Sequence, residues 1–180
     1  MGSTFIVVLA WLVVLALWGA AVYNRLRLLR NRVENAWSQI DVQLKRRNDL
    51  IPNLVEVARG YMQHEASTLE AVARARSQAV QASEALRGHT GQAQALGALA
   101  AAEQALGSSL GRLMVVAEAY PELKADAQMQ SLSEEIASTE NRIGFARQAY
   151  NDEVMAFNNK ASQFPDLIWA RLLGFAHMDM

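Results

Sequence analysis

One hundred and eighty residues give room for one domain and an anchor, and a composition of 52% apolar and 19% charged residues excludes both a disordered chain and a multi-span channel. The absence of cysteine excludes a disulfide framework, a thiol nucleophile and a cysteine-ligated zinc, while ten glycines and three prolines are too few for the turns of an all-β sandwich. A net charge of −1 gives no reason to expect nucleic acid as a partner.

The apolar content is concentrated at the start. Residues 5–23, FIVVLAWLVVLALWGAAVY, carry no charge and no polar side chain except the Tyr23 hydroxyl. As a helix this run extends about 28 Å, close to the ~30 Å hydrocarbon thickness of a bilayer. Outside it, apolar residues fall to about 47% and charged residues rise to about 22%, the proportions of a soluble domain. A cleavable signal peptide needs a basic leader and a shorter core. Met1–Thr4 have no charged side chain, although Gly19-Ala20-Ala21 resembles a cleavage site. Ile6 stands where N-myristoylation requires Ser or Thr, and a lipoprotein anchor would need cysteine. The run is therefore expected to be a single-pass anchor over residues 1–23. Arg25, Arg27, Arg30 and Arg32 follow it, so the positive-inside rule predicts an N-terminus outside and a cytoplasmic body. Trp18 and Tyr23 suit the interfacial belt next to these arginines, and Trp11 is apolar filling.

The body, expected over residues 24–163, reads as helix. Val33, Trp37, Ile40, Leu44 and Ile51 keep heptad spacing with Arg47 at the skipped position. Leu96, Leu99, Leu106, Leu110, Leu113, Ala117 and Tyr120 do so with Glu103 at theirs. Leu132, Ile136, Thr139, Ile143, Ala146 and Tyr150 continue the rule, with Val154 and Phe157 one step out of phase. Each stripe must be buried against other helices, and no run alternates with period two as a strand would. The only loose stretch, Arg87-Gly88-His89-Thr90-Gly91, marks a turn. Asn48-Asp49 before Pro52 reads as a turn between helices or as a proline kink in one long helix, and Pro121-Glu122 restarts a helix. The predicted helices are 24–47, 50–86, 93–119 and 122–160. The expected fold is all-α, an N-terminal transmembrane helix followed by an antiparallel four-helix bundle. The alternative is a long kinked helical hairpin or coiled coil continuous with the transmembrane helix.

Up to residue 80 the chain has 10 Lys/Arg against 6 Asp/Glu, and beyond it 7 against 12. This +4 and −5 split suits oppositely charged helices packing together, head-to-tail attraction between copies, or arginines at anionic headgroups. Arg47 and Glu103 at skipped core positions, with Asp41, Arg46, Asp49, Glu65, Arg76, Glu118, Glu140 and Arg147 close to the stripes, read as solvated faces, as a ligand site, or as a buried polar network that fixes helix register, with Arg47, Glu103, Asp41, Arg46, Glu118 and Glu140 singled out as its members. The last segment, residues 164–180, holds Phe164, Leu167, Ile168, Trp169, Leu172, Leu173 and Phe175 with few charges. It is too short to span, and either folds back over the end of the body or lies in the membrane interface.

Catalytic motifs fail one by one. His64-Glu65 opens like a zincin motif, but position 68 is Thr and no second histidine is near. His64, His89 and His177 are scattered, and the residues three before them, Tyr61, Leu86 and Gly174, cannot complete the Glu-x-x-His pairs of di-iron bundles. There is no phosphate-binding glycine loop and no nucleophile elbow. No enzymatic activity, metal or cofactor is expected.

Tyr23-Asn24, then Val33-Glu34-Asn35-Ala36-Trp37-Ser38-Gln39-Ile40-Asp41-Val42-Gln43-Leu44-Lys45-Arg46-Arg47-Asn48-Asp49-Leu50-Ile51-Pro52-Asn53-Leu54-Val55, form a distinctive signature. Gly60-Tyr61, His64-Glu65, Glu118-Ala119-Tyr120-Pro121-Glu122-Leu123-Lys124, Thr139-Glu140-Asn141-Arg142-Ile143, Ala146-Arg147, Tyr150-Asn151, Asn158 and Phe164-Pro165 continue it. Together they resemble the LemA family over essentially the whole chain. The resemblance implies a bacterial inner-membrane protein with an N-terminal anchor, a helical-bundle domain and no established enzymatic activity. It points to magnetosome-associated proteins linked to membrane remodelling, and to proteins found alongside a membrane-embedded zinc metalloprotease of the HtpX type. The expected function is a scaffold, self-associating as a homo-oligomer on the lipid bilayer; the alternative is an adaptor of such a metalloprotease. The contact surfaces singled out are the four flanking arginines and the tail residues Phe164, Trp169, Leu172 and Phe175.

Overall fold

The computed structural model describes residues 2–86 and 92–179. Six helices follow one another: α1 (Gly2–Tyr61), α2 (Ala66–Leu86), α3 (Ala93–Ala117), α4 (Pro121–Ala125), α5 (Ala127–Ser162) and α6 (Asp166–Leu172), with no strand among the described residues. The expected turn at Arg87–Gly91, with His89, lies outside the described residues.

The all-α expectation holds, and the first helix runs on from the apolar segment into the body, as in the alternative reading. α1 runs unbroken for 60 residues, about 90 Å, so the apolar run and the body share one helix. Up to Leu17 its apolar side chains are exposed. From Val22 to Ala58 the buried positions recur at threes and fours, so this part lays a single stripe into the core.

The chain does not turn at Asn48–Pro52, and the separate helices predicted for 24–47 and 50–86 are corrected accordingly. Pro52 has no N–H to give the Asn48 carbonyl four residues back. The Arg76 side chain, reaching across from α2, supplies that bond instead: its Nε donates to Asn48 O at 2.6 Å. The reversal falls at Met62–Glu65, where Met62 N–H closes on Ala58 O and the Glu65 carbonyl accepts the Thr68 and Leu69 amides that open α2. Met62 is fully buried beneath this turn. No proline or favoured capping residue marks it, so spacing alone misses it. The helix predicted for 122–160 also divides. Pro121 opens the short α4, and Asp126 opens α5 by accepting the Met129 amide at 2.9 Å, an N-cap that satisfies an otherwise orphaned donor.

α1 packs along α5 in antiparallel sense. Tyr61 meets Asp126, Arg46 meets Glu135, and Trp37 meets Tyr150 edge-on at 5.7 Å. α2 runs antiparallel to α1, as Arg76 on Asn48 and Ser83 on Asp41 require, and packs on α3. The side chains between these helices form two hydrophobic clusters. The distal one holds Ile51, Leu54, Ala58, Val72, Ala79, Leu106, Leu113 and Ile136. The cluster nearer the apolar run holds Val22, Leu26, Val33, Leu44, Leu86, Leu99, Ile143 and Phe157.

After Ser162 the chain doubles back. Gly174, at φ 74°, closes α6 with the Gly174 amide on Arg171 O and the Phe175 amide on Ala170 O, a reversal that glycine makes without a Cβ clash. Phe175 is thereby aimed at Tyr23 and Phe157, with ring centroids 5.8 and 6.2 Å away. Asn158 holds Met178 by two hydrogen bonds, Nδ2 donating to Met178 O and Oδ1 accepting the Met178 amide. The tail thus folds back against α1 and α5.

Candidate functional site

Between the two hydrophobic clusters lies a layer of buried polar side chains. On α1 it falls between Leu44 and Ile51, on α2 between Ala79 and Leu86, on α3 between Leu99 and Leu106, and on α5 between Ile136 and Ile143. The residues at that level are Arg47 and Asn48, Ser83, Glu103, and Thr139, every one of them buried. Five buried polar positions on four helices thus fall in one slice, above and below which the core is apolar.

Arg47 is at the centre. Its guanidinium pairs with Glu103 of α3, where both side chains are under 5% exposed, and with Glu140 of α5, whose side chain is 60% exposed. It therefore links a deeply buried carboxylate to one at the solvent rim. Burial pushes the Arg47 guanidinium below its usual range; Glu140 opposes that shift and the nearby Arg147 adds to it. A guanidinium nevertheless stays protonated at any pH at which a protein remains folded. Thr139 satisfies its hydroxyl within α5 by donating to Ile136 O at 2.7 Å. Arg47 Nε, Glu103 Oε1, Asn48 Oδ1 and Gln43 Oε1 have no hydrogen-bond partner among the described residues.

The six residues expected in a polar network separate into three groups. Arg47, Glu103 and Glu140 come together as one cluster. Asp41 sits on the α1–α2 side, accepting the Ser83 hydroxyl at 3.3 Å. Arg46 and Glu118 are not in the buried layer: Arg46 pairs with Glu135, its side chain 51% exposed, and Glu118, just past the end of α3, pairs with Lys124 of α4 and is also exposed. Helical geometry explains Arg46, since the neighbour of an inward residue is rotated about 100° away. Spacing did not reveal the Arg76 contact, whose signal is the proline four residues after Asn48.

The four arginines that follow the apolar run are all exposed, and Arg30 pairs with Glu34 one turn on. In the tail, Trp169 and Phe175 face the body, whereas Phe164 and Leu172 face outward, 82% and 73% exposed. Trp169 stands edge-on to Trp18 at 6.2 Å and covers Gly19 so closely that a Cβ there would lie 2.9 Å from its ring.

A groove of about 320 Å³ opens between α1, α3 and α5 over Trp37, Leu99 and Tyr150, with Gly97 and Ala100 on its α3 side. Tyr150 is buried there; burial, with a smaller contribution from Asp179, pushes its phenol up. The groove pairs no nucleophile with a base. His64 lies exposed in the α1–α2 turn and His177 exposed in the tail, and no group of three or more metal-ligating side chains occurs among the described residues. The arrangement offers contact surfaces and a polar clasp across helices.

Comparison with known proteins agrees with the residue pattern. Magnetosome protein MamQ 2 and Magnetosome protein MamQ 1 of Paramagnetospirillum magneticum (strain ATCC 700264 / AMB-1) are each 26% identical to this chain over 168 residues, covering 85% of it. Magnetosome protein MamQ of Magnetospirillum gryphiswaldense (strain DSM 6361 / JCM 21280 / NBRC 15271 / MSR-1) is 24% identical over 172 residues, or 87% of the chain. The chain spans 62–63% of the length of these curated relatives. The model of the LemA family matches residues 36–180, from Ala36 within α1 through the whole folded-back tail. This chain belongs to the LemA family.

Proposed function

We propose that the protein is a membrane-anchored, non-enzymatic helical scaffold whose body associates with further copies of itself to organise membrane or membrane-protein complexes. One observation carries the reading: a single helix, α1, exposes an apolar run long enough to cross a bilayer and then buries its stripe in a folded body. Exposed apolar surface on that scale is stable only in lipid or against another protein. The likeness to magnetosome proteins supports a membrane association.

In this reading α2, α3, α5 and the distal part of α1 form an antiparallel four-helix bundle in the cytoplasm. The exposed arginines 25, 27, 30 and 32 sit at the inner headgroups of the bacterial inner membrane, and the N-terminus lies outside. The charge split between the two halves supplies complementary surfaces for self-association.

Gentle detergent extraction followed by mass measurement tests the function. A homo-oligomer is the expected result. A monodisperse monomer with no companion overturns the scaffold, and a stoichiometric foreign subunit, such as a metalloprotease of the HtpX type, replaces it with an adaptor role. Orientation is tested separately with Ser3→Cys, the chain having no other cysteine. An impermeant thiol reagent should label it in intact cells; labelling only after lysis reverses the topology.

A further inference from the structure

We propose that the outer face of α6, carrying Ile168 and Leu172, with Phe164 exposed in the turn before it, is a second membrane-contact site that lies in the bilayer interface beside the end of the α1 span. This rests on the reading of α1 as a membrane span.

Position carries the inference. Trp169, on the inner side of α6, packs on Trp18 and Gly19, within the apolar run Phe5–Tyr23. Gly19 and Val22 are buried, whereas the apolar residues before Trp18 are exposed, so burial on α1 begins inside its apolar run, where the tail lies against it. Along the helix axis Gly19 is six residues from Arg25, about 9 Å. With Arg25 at the headgroups, α6 lies at the boundary of headgroups and acyl chains, the depth of about 5–10 Å that interfacial helices adopt. A segment clamped to the span at that depth cannot hold its outer face in bulk water.

The composition of that face fits the place. Ile168 and Leu172 lie one helical turn apart on α6 and are 51% and 73% exposed, and Phe164, in the turn before α6, is 82% exposed. Asp166, the one acidic residue of α6, is turned inward and paired with Lys160, and Arg171 is left exposed where anionic headgroups would meet it. The inner face is held by the Gly174 reversal and by Asn158 on Met178, so the outer face is presented by a fixed element.

The full chain, free of native cysteine, permits a direct test. Leu12→Cys, Ile168→Cys, Leu172→Cys and, at the distal end of the body, Glu122→Cys are each labelled with an environment-sensitive fluorophore and reconstituted in vesicles. The vesicles contain phosphatidylcholine and phosphatidylglycerol, with a nitroxide quencher near the headgroup end or near the chain terminus. The expected result is a blue-shifted probe at Ile168 and Leu172, quenched most by the shallow nitroxide and not by aqueous iodide. Leu12 should be quenched by the deep nitroxide, and Glu122 by iodide alone. If Leu12 escapes lipid quenching, the span itself is refuted. If Leu12 is quenched by lipid while Ile168 and Leu172 respond to iodide, the span stands and the interfacial face is refuted. Protection of Ile168 and Leu172 from both quenchers overturns the lipid site in favour of cover by another copy of the chain.

Discussion

Replacing Arg47 by methionine tests the polar layer most sharply. The substitution keeps an unbranched chain of similar length and deletes the charge that faces Glu103. That carboxylate is then left in a slice of core where its side chain is only 4% exposed, with apolar clusters on both sides. Breaking a buried pair from one side costs about 3–5 kcal/mol, because the surviving charge keeps its desolvation penalty and loses its partner. For a chain of this size each kcal/mol moves Tm by roughly 2–4 °C, so Arg47→Met should melt about 6–20 °C below the parent. Removing both charges with Arg47→Met and Glu103→Leu abolishes the penalty, and the double variant should recover to within about 1 kcal/mol of the parent or exceed it. Glu140 then loses its partner too, but its side chain is 60% exposed and remains hydrated. Thermal unfolding of the full chain in detergent, followed by far-UV circular dichroism, gives all three values. The reasoning is refuted if Arg47→Met melts with the parent, or if the double variant melts as low as the single one.

The proline contact gives a second double-variant cycle. Arg76→Ala strands the Asn48 carbonyl and should cost about 1–3 kcal/mol in denaturant unfolding, whereas in a Pro52→Ala background the restored helical N–H takes over and most of that cost should vanish. At the other end of α1, Gly19→Val drives a branched side chain into the Trp169 ring; overpacking of this kind costs about 1–3 kcal/mol and should increase iodide quenching of the tail, while an unchanged Tm and spectrum would refute the clamp. The pH response of α5 has a definite sign. The Met129 amide holds the Asp126 carboxyl below its usual range, so its stabilisation is complete above the unfolded value of about 3.9 and is lost as pH falls through the lower folded value. Asp126→Asn should therefore flatten the acid limb of a Tm–pH profile, and an unaltered limb would count against the cap.

Much of the core was legible because heptad spacing reports burial directly. From Val33 to Ile51 and from Leu99 to Ala117 every position on the stripe is buried, including the two skipped ones that carry Arg47 and Glu103. A charge at such a position either faces solvent or has a partner across the core, and here Arg47 and Glu103 are partners. The helix ends were less legible because sequence reports a local preference and the fold can satisfy it from afar. Pro52 removes a hydrogen bond, which reads as a break. An arginine on another helix takes up the freed Asn48 carbonyl, and while Pro52 signals that a partner is needed, nothing near residue 52 encodes which one. The true reversal at Met62–Glu65 is set by the fully buried Met62 side chain and by the Glu65 carbonyl, neither of which has a turn signature. The tail showed its apolarity in sequence, but its division into an inner and an outer face depends on the reversal at Gly174.

The continuity of α1 bears on how a scaffold of this kind would act. An anchor joined to its domain by a flexible linker leaves the domain free to take any orientation, and association between domains then says little about the membrane. Here no linker intervenes. From Tyr23 to Arg47 the helix continues for 24 residues, about 36 Å, with its stripe buried in the body, and just before Tyr23 Trp169 of α6 packs on Gly19. The tilt of the span and the orientation of the body are therefore one quantity. When two bodies meet through fixed surfaces, the angle between their spans is set at the same time, and so is the local arrangement of the bilayer around them. Pro52 is the place where this stiffness would be expected to fail, and there the Arg76 side chain bonds the carbonyl that the proline leaves free. In a scaffold that shapes membranes, loss of the Arg76 contact should accordingly weaken the ordering of assembled copies more than it weakens their association. Comparing the angular spread of particles on vesicles with the fraction of chain assembled separates the two effects. An equal loss of both would reduce Arg76 to a contributor to stability alone.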